Sequence, residues 1–281
     1  MNWMIACILL GADEKSLSFG ADASRANTLS QQLSADDERR QRLRQLLDES
    51  VGWNEFSVPG DDSGPVTAVP VHRWTNNERD PQGQALAVLW VHRGQPVAIA
   101  SIFPWNGRLI HEIESTSPAK LQCKRDGVIV WKPDRGVTFT PMPEAPAPGD
   151  SAVVRLRQMK QLADQFQITM LGWKADDSDR EELRRLPREM FRYQPETPRV
   201  RDGAVFAYVK GTDPEAVLVL EAAQTEEGCQ WQYALVRQTS GGLTARRNGL
   251  IVWTAEKHVP RKDPSQPWIS LSRPLPGEAL P

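Results

Sequence analysis

Apolar residues alternate with polar ones, or run together, in two long stretches of the chain, and turn residues divide each stretch into short segments. This pattern is typical of β-strands joined by tight turns. In the first stretch it predicts strands over residues 85–91, 96–103, 109–115, 121–125 and 128–131. In the second it predicts strands over residues 204–210, 215–222, 230–238, 243–247 and 250–253. The last hairpins turn at Asp126-Gly127 and Asn248-Gly249, residue pairs that two-residue type I′ turns prefer.

A helical pattern precedes each stretch of strands. The first predicted helix begins at Ser34, where Asp37 completes a capping box, and its apolar stripe is Leu43, Leu46, Leu47 and Val51. The second is capped by Asp150 or Ser151, and its apolar face is Leu156, Met159, Ala163, Phe166 and Met170. A further short helix is predicted from Ser178, and Pro187 ends it.

The two stretches are similar in sequence. Residues 121–131 match residues 243–253 without a gap, at a constant offset of 122 positions, which indicates a duplicated unit. We therefore predict an α+β fold of two tandem repeats related by a pseudo-two-fold axis. Each repeat is a helix followed by an antiparallel meander of about five strands. The predicted domains are a leader over residues 1–33 (a candidate signal segment plus a flexible stretch), a first repeat over residues 34–147 and a second over residues 148–281.

Composition and charge exclude some classes of protein. The chain has 281 residues, of which 40% are hydrophobic, so a packed core is expected. Its 34 basic and 36 acidic side chains nearly cancel, which makes nucleic acid an improbable partner. No apolar run is long enough to predict a membrane span. Residues 3–10 resemble the apolar core of a signal peptide, but no basic residue precedes them, so an exported, periplasmic location and a cytoplasmic one both stay open.

Candidate chemistry is sparse in this sequence. It lacks the motifs of phosphate-binding loops, dinucleotide-binding folds, zinc proteases and serine hydrolases. None of the histidines His72, His92, His111 and His258 has an equivalent in the other repeat. We therefore identify no catalytic residue and predict no cofactor and no metal. Glu112 and Glu114 share one face of a predicted strand, but the second repeat has no acid there, so we expect a solvated strand face.

Four residues are the candidates for binding. Arg73 and Arg192 each stand beside an aromatic residue, where a guanidinium can bind an anion, stack on the ring or pair with an acid. Trp105 and Trp231 have no aromatic counterpart in the other repeat, so they are the better candidates for exposed aromatic side chains. Such side chains contact protein or glycan partners.

Part of the second repeat resembles a known group of proteins. The segments are Phe-Arg-Tyr at residues 191–193, Asp-Gly-Ala-Val-Phe-Ala-Tyr-Val at 202–209, Gly-Thr-Asp-Pro-Glu at 211–215 and Trp-Gln-Tyr-Ala-Leu at 231–235. In these segments the chain resembles an uncharacterised bacterial family of hypothetical proteins of unknown function. The resemblance implies a bacterial, exported protein and carries over no activity and no site residue.

Three functions are compatible with this sequence. A duplicated β framework without a matched acid, base or nucleophile favours a non-enzymatic binding or scaffold protein in or at the bacterial envelope. The first alternative is a hydrolase of a glycan or ester, with a site between the repeats that uses groups such as Glu112 or His111. The second is a small-molecule or lipid carrier, which requires a large apolar cavity between sheet and helices.

Overall fold

The computed structural model describes residues 19–61, 63–75, 84–171, 180–257 and 263–276. Within these ranges the chain forms α1 (Phe19–Val51) and α2 (Ala152–Ala163), and neither helix could cross a membrane. α1 begins upstream of Ser34, where the capping box had predicted its start. The chain divides into two compact units, residues 1–41 and 42–281. In the first unit, Arg40 Nη2 donates a hydrogen bond to Asp37 Oδ1 at 3.0 Å.

The second unit contains all the described strands. Residues 42–147, here called the first half, form β1 (Glu55–Ser57), β2 (Val66–Thr75), β3 (Gln84–His92), β4 (Gln95–Trp105), β5 (Arg108–Ser115), β6 (Gln122–Arg125), β7 (Val128–Trp131) and β8 (Thr140–Pro141). Residues 148–281, the second half, form β9 (Phe166–Leu171), β10 (Arg180–Arg185), β11 (Phe191–Tyr193), β12 (Val200–Lys210), β13 (Asp213–Thr225), β14 (Gly228–Arg237), β15 (Gly242–Arg247), β16 (Leu250–Ala255) and β17 (Trp268–Pro274). All pairings between them are antiparallel, and the fold is α+β.

The predicted meander strands are present in both halves, but two further helix predictions are wrong. The short helix predicted from Ser178 is instead β10, and Ser178 itself lies outside the described residues. Residues 180–185 consist of good helix formers, yet pairing with β9 and β12 overrides that propensity. The second helix ends at Ala163, so Phe166 and Met170 belong to β9 rather than to the face of a helix. Ser151 is its N-cap, and its side chain accepts a hydrogen bond from Val154 N.

Strand order is the same in the two halves. The three-stranded sheet has the order β1-β6-β7, and β9-β15-β16 follow the same order in the second half. The five-stranded sheet runs β17-β5-β4-β3-β2, matched by β8-β14-β13-β12-β11. In the second half β10 bridges β9 and β12, which joins both groups into one nine-stranded sheet. The last strand of each half is exchanged, because β8 pairs with β14 and β17 pairs with β5.

Apolar side chains form three main clusters. In the first half, the end of α1 and the three-stranded sheet pack on one face of the five-stranded sheet, around Leu47, Trp90 and Trp131. In the second half, α2, β9 and β15 pack in the same way on β12–β14, around Met159, Phe206 and Trp231. The third cluster lies between the opposite faces of the five-stranded and nine-stranded sheets and joins the two halves. Polar groups at its margins form the site described next.

Candidate functional site

A cleft of about 920 Å³ opens where the two halves meet. Turn and strand residues of both halves line it, and the polar side chains that matter most are His92, Arg93, Gln95, Thr197, Arg199, Glu221 and Gln232. The β3–β4 turn projects Arg93 because Arg93 and Gly94 both have positive φ angles, 49° and 77°. The cleft is therefore a polar site assembled from both halves.

Glu221 is the buried carboxyl group of this cleft. Gln95 Nε2 donates to Glu221 Oε1 at 2.7 Å, and the Tyr193 hydroxyl donates to the same oxygen at 2.9 Å. Gln232 Nε2 donates to Oε2 at 2.8 Å. Burial raises the pKa of Glu221, and these three hydrogen bonds oppose that rise. Because its hydrogen-bond donors come from both halves, Glu221 links the two halves at the wall of the cleft.

His92 stands in the same cleft beside a carboxylate. Its Nε2 lies 3.2 Å from Asp61 Oδ2. Hydrogen bonds from the Ser63 hydroxyl and backbone N–H, with a smaller contribution from His92, lower the pKa of Asp61 to about 2. In the neutral tautomer that donates Nε2–H to the ionised Asp61, Nδ1 of His92 is a hydrogen-bond acceptor. Nδ1 is buried and has no hydrogen-bond partner among the described residues.

Two cations complete the cleft. Arg93 is half-buried and Arg199 is exposed, and neither guanidinium makes a hydrogen bond or ion pair within the part of the chain that the structure describes. The Thr197 hydroxyl beside Arg199 is buried and has no partner among the described residues. The site therefore offers two positive charges, one ring nitrogen and one hydroxyl, beside the carboxyl groups of Asp61 and Glu221.

A second cavity, of about 300 Å³, is lined by Glu114. Its carboxyl accepts a hydrogen bond from the Arg237 backbone N–H, and burial raises its pKa well above the ordinary value. Oε2 has no hydrogen-bond partner among the described residues. Glu112 is also buried close to Arg237. The expectation of a solvated strand face is therefore wrong, because β5 turns this face toward the second half.

His111 does not join Glu112 in a common site. As neighbours in β5, they point to opposite faces of the sheet. His111 is buried in the first half, where Asn54 Nδ2 lies 3.0 Å from its Nδ1 and Trp53 stacks on its ring at 5.6 Å. Burial lowers the pKa of His111 well below its ordinary value. These two groups of the hydrolase hypothesis are therefore not assembled.

The two candidate arginines hold a strand against the helix of their own half. Arg192 donates to both oxygens of the fully buried Asp202, at 3.2 and 2.7 Å, and to the Ala152 carbonyl at the start of α2. Arg73 forms an ion pair with Asp48 of α1. Both guanidinium groups are thus occupied by partners within the chain.

The two candidate tryptophans differ in exposure. Trp105, at the end of β4, is 45% exposed. Trp231 is buried in the core of the second half, so it is not the exposed aromatic that we expected. Trp231 lacks an aromatic counterpart because Leu109 fills the equivalent core position in the first half.

Sequence reasoning missed the residues that form the cleft. Glu221 carried a usable signal, because it is a lone acid within the apolar run of β13. Gln95 and Gln232 carried none, since glutamine is common at half-exposed strand positions. Among the described residues, no three His, Cys, Asp or Glu side chains are grouped to hold a metal ion. No family model, curated protein or solved structure matches this chain.

Proposed function

We propose that this protein is a non-enzymatic binding protein whose cleft between the two halves binds a small hydroxylated anion, of the class of sugar acids and sugar phosphates. The observation that carries the proposal is that two cations of the cleft, Arg93 and Arg199, have no hydrogen-bond or ion-pair partner among the described residues and lie in the same cleft as His92. A guanidinium without a carboxylate partner favours a carboxylate or phosphate ligand, which it can bind through two parallel hydrogen bonds.

The uncharged polar atoms of the cleft indicate that the ligand also carries hydroxyl groups. His92 Nδ1 and Thr197 Oγ1 are buried and lack partners among the described residues. A buried polar atom without a partner costs about 1–3 kcal/mol, which a ligand hydroxyl or a bound water would recover. In the neutral tautomer that donates Nε2–H to Asp61, Nδ1 accepts a hydrogen bond and the ligand donates it.

The same proposal includes the origin of the cleft by duplication, with repeats over residues 34–147 and 148–281. The shared strand order supports it. Register shifts also recur at matching places, at Trp90/Val91 and Tyr208/Val209 and again at Cys123/Lys124 and Ala245/Arg246. Exchange of β8 and β17 would then keep the repeats together and hold the cleft between them. The location in the bacterial envelope stays a prediction, as residues 3–10 lie outside the described residues.

Calorimetric titration with glucuronate, glucose 6-phosphate and glucose tests this function. We expect the two anions to bind and glucose to bind much more weakly. Arg93→Gln and Arg199→Gln should each weaken anion binding by about tenfold. His92→Gln keeps an amide for Asp61 but removes the Nδ1 acceptor, so it should weaken both anions equally. Arg157→Gln, on the exposed side of α2, is the matched control. Binding that is unchanged in all three cleft variants would reject the proposal.

A further inference from the structure

Two hairpins expose aliphatic side chains in the same way. At the end of β6–β7, Val128 is 64% and Ile129 47% exposed. At the end of β15–β16, Leu250 is 73% and Ile251 58% exposed, and Val252 is also exposed. Single exposed aliphatic residues are ordinary, but adjacent ones at the end of a strand indicate a contact surface.

Each aliphatic group lies on a strand at the edge of its sheet. Among the described residues, β7 pairs with β6 alone and β16 with β15 alone. The outer N–H and C=O groups of an edge strand can pair with another extended chain. Both hairpins therefore offer main-chain hydrogen bonds next to apolar side chains.

A cation lies directly across the hairpin from each isoleucine. Lys124 pairs in register with Ile129, and Arg246 with Ile251. Neither cation makes a side-chain hydrogen bond or ion pair within the described ranges. Side chains in register lie on the same face of a sheet, so each surface combines an apolar and a positive group.

We propose that these two hairpin edges bind an extended peptide that carries aliphatic and acidic side chains on the same face, two positions apart, and that the peptide adds as a strand to β16 or β7. The aliphatic residues would cover Ile251 or Ile129, and the acidic ones would reach Arg246 or Lys124. A second copy of this chain is disfavoured, because pairing of two such edges brings like charges together. The proposal is independent of the cleft.

The two edges should differ in affinity. On the inner side of β6, Glu55 faces Lys124 in register and partly offsets its charge. On the inner side of β15, the neutral Gln167 faces Arg246. The aliphatic residues of the second hairpin are also the more exposed. We therefore expect the edge at β16 to bind more tightly than the edge at β7.

Fluorescence anisotropy with a labelled peptide that repeats Val-Ser-Glu-Ser, in which valine and glutamate share one face of the extended strand, tests this surface on the full chain. Ile251→Thr and Arg246→Gln should each weaken binding by about tenfold, and Ile129→Thr should weaken it less. Threonine preserves the β-branch and the exposed position, so the hairpin should still fold. Val153→Thr, at an exposed aliphatic position on α2, is the control and should have no effect.

Four controls separate this partner from others. An N-methylated form of this peptide, which cannot pair along a strand, and a form with lysine in place of glutamate should not bind. Equal binding of the lysine peptide, or no change in the hairpin variants, would overturn the proposal. The protein should not co-sediment with phosphatidylcholine–phosphatidylglycerol vesicles. If it does, and the hairpin variants abolish this binding, the partner is a membrane surface and the proposal is overturned. If sedimentation velocity shows self-association that the hairpin variants abolish, the partner is a second copy of this chain, which would also overturn the proposal.

Discussion

Gln95 of the first half donates a 2.7 Å hydrogen bond to Glu221 of the second. The Tyr193 hydroxyl donates to the same oxygen, and the Tyr193 ring lies over Gly203, its partner in the β11–β12 register. A Cβ at Gly203 would overlap that ring. The contact between the halves therefore depends on an aromatic ring that fits only over a glycine.

Gly203→Ala should destabilise the protein by about 1–3 kcal/mol, because Tyr193 must move and release Glu221. Urea unfolding followed by fluorescence measures this change. Gly242→Ala is the matched control in β15, since a Cβ there meets its nearest neighbour at an ordinary 3.5 Å. Equal stability of the two variants would show that Tyr193 is not held in this position.

Glu114→Gln should alter the pH dependence of stability. Burial raises the pKa of Glu114 well above its ordinary 4.5, so the unfolded chain loses this proton at a lower pH than the native protein does. Wild-type stability therefore falls as the pH rises from the ordinary pKa to the raised native one. The neutral glutamine avoids this loss.

We expect Glu114→Gln to match the wild type near about pH 4 and to exceed it by about 1–3 kcal/mol at about pH 8. Chemical unfolding at a series of pH values gives this difference directly. The exposed Glu196→Gln provides the control, with no trend expected. A stability difference between Glu114→Gln and the wild type that is constant with pH would show that burial does not raise the pKa of Glu114.

Arg192→Gln and Arg73→Gln should differ sharply in stability. Removal of Arg192 takes two hydrogen bonds from the fully buried Asp202, which keeps its ion pair with Arg155, and should cost about 1.5–3 kcal/mol. The Arg73–Asp48 pair is partly exposed, so Arg73→Gln should cost less than about 1 kcal/mol. Urea unfolding compares them. Similar small losses of stability in both variants would show that the fold does not depend on Arg192, which would then again be a candidate ligand-binding residue.

Ile269→Ala tests the exchange of terminal strands. Ile269 belongs to β17 near the end of the chain, yet it pairs with Ile113 and packs in the core of the first half. The substitution should cost about 2–5 kcal/mol and accelerate amide hydrogen exchange in β5. Leu218→Ala, in the core of the second half, should accelerate exchange in β12–β14 instead. Faster exchange in β14 after Ile269→Ala would contradict the exchanged pairing.

Local features of this fold could be predicted from its sequence, and long-range ones could not. Asp126-Gly127 and Asn248-Gly249 adopt the predicted positive φ angles because turn chemistry is decided by adjacent residues. Residues 180–185 could not be assigned correctly, since partner strands determine their conformation. The exchange of β8 and β17 could not be predicted either, because the two halves are so similar that either strand could pair with β5 or β14.

The candidate site was harder to predict than the fold. Glu112 and Glu114 occupy exposed-looking positions of an alternating strand, and their burial depends on a surface that belongs to the second half. Arg192 was identified, but Asp202, which holds it, was not. The cleft likewise depends on contacts between residues far apart in sequence, such as Gln95 and Glu221.

The most direct test of the binding function is a titration of the isotopically labelled protein with glucuronate, observed through its amide NMR signals. We predict concentration-dependent shifts at residues 92–95, 197–200 and 221–225, around the cleft, and none at residues 124–130 and 246–252 of the two hairpins. Absence of shifts with both glucuronate and glucose 6-phosphate, or shifts confined to residues outside the cleft, would contradict it.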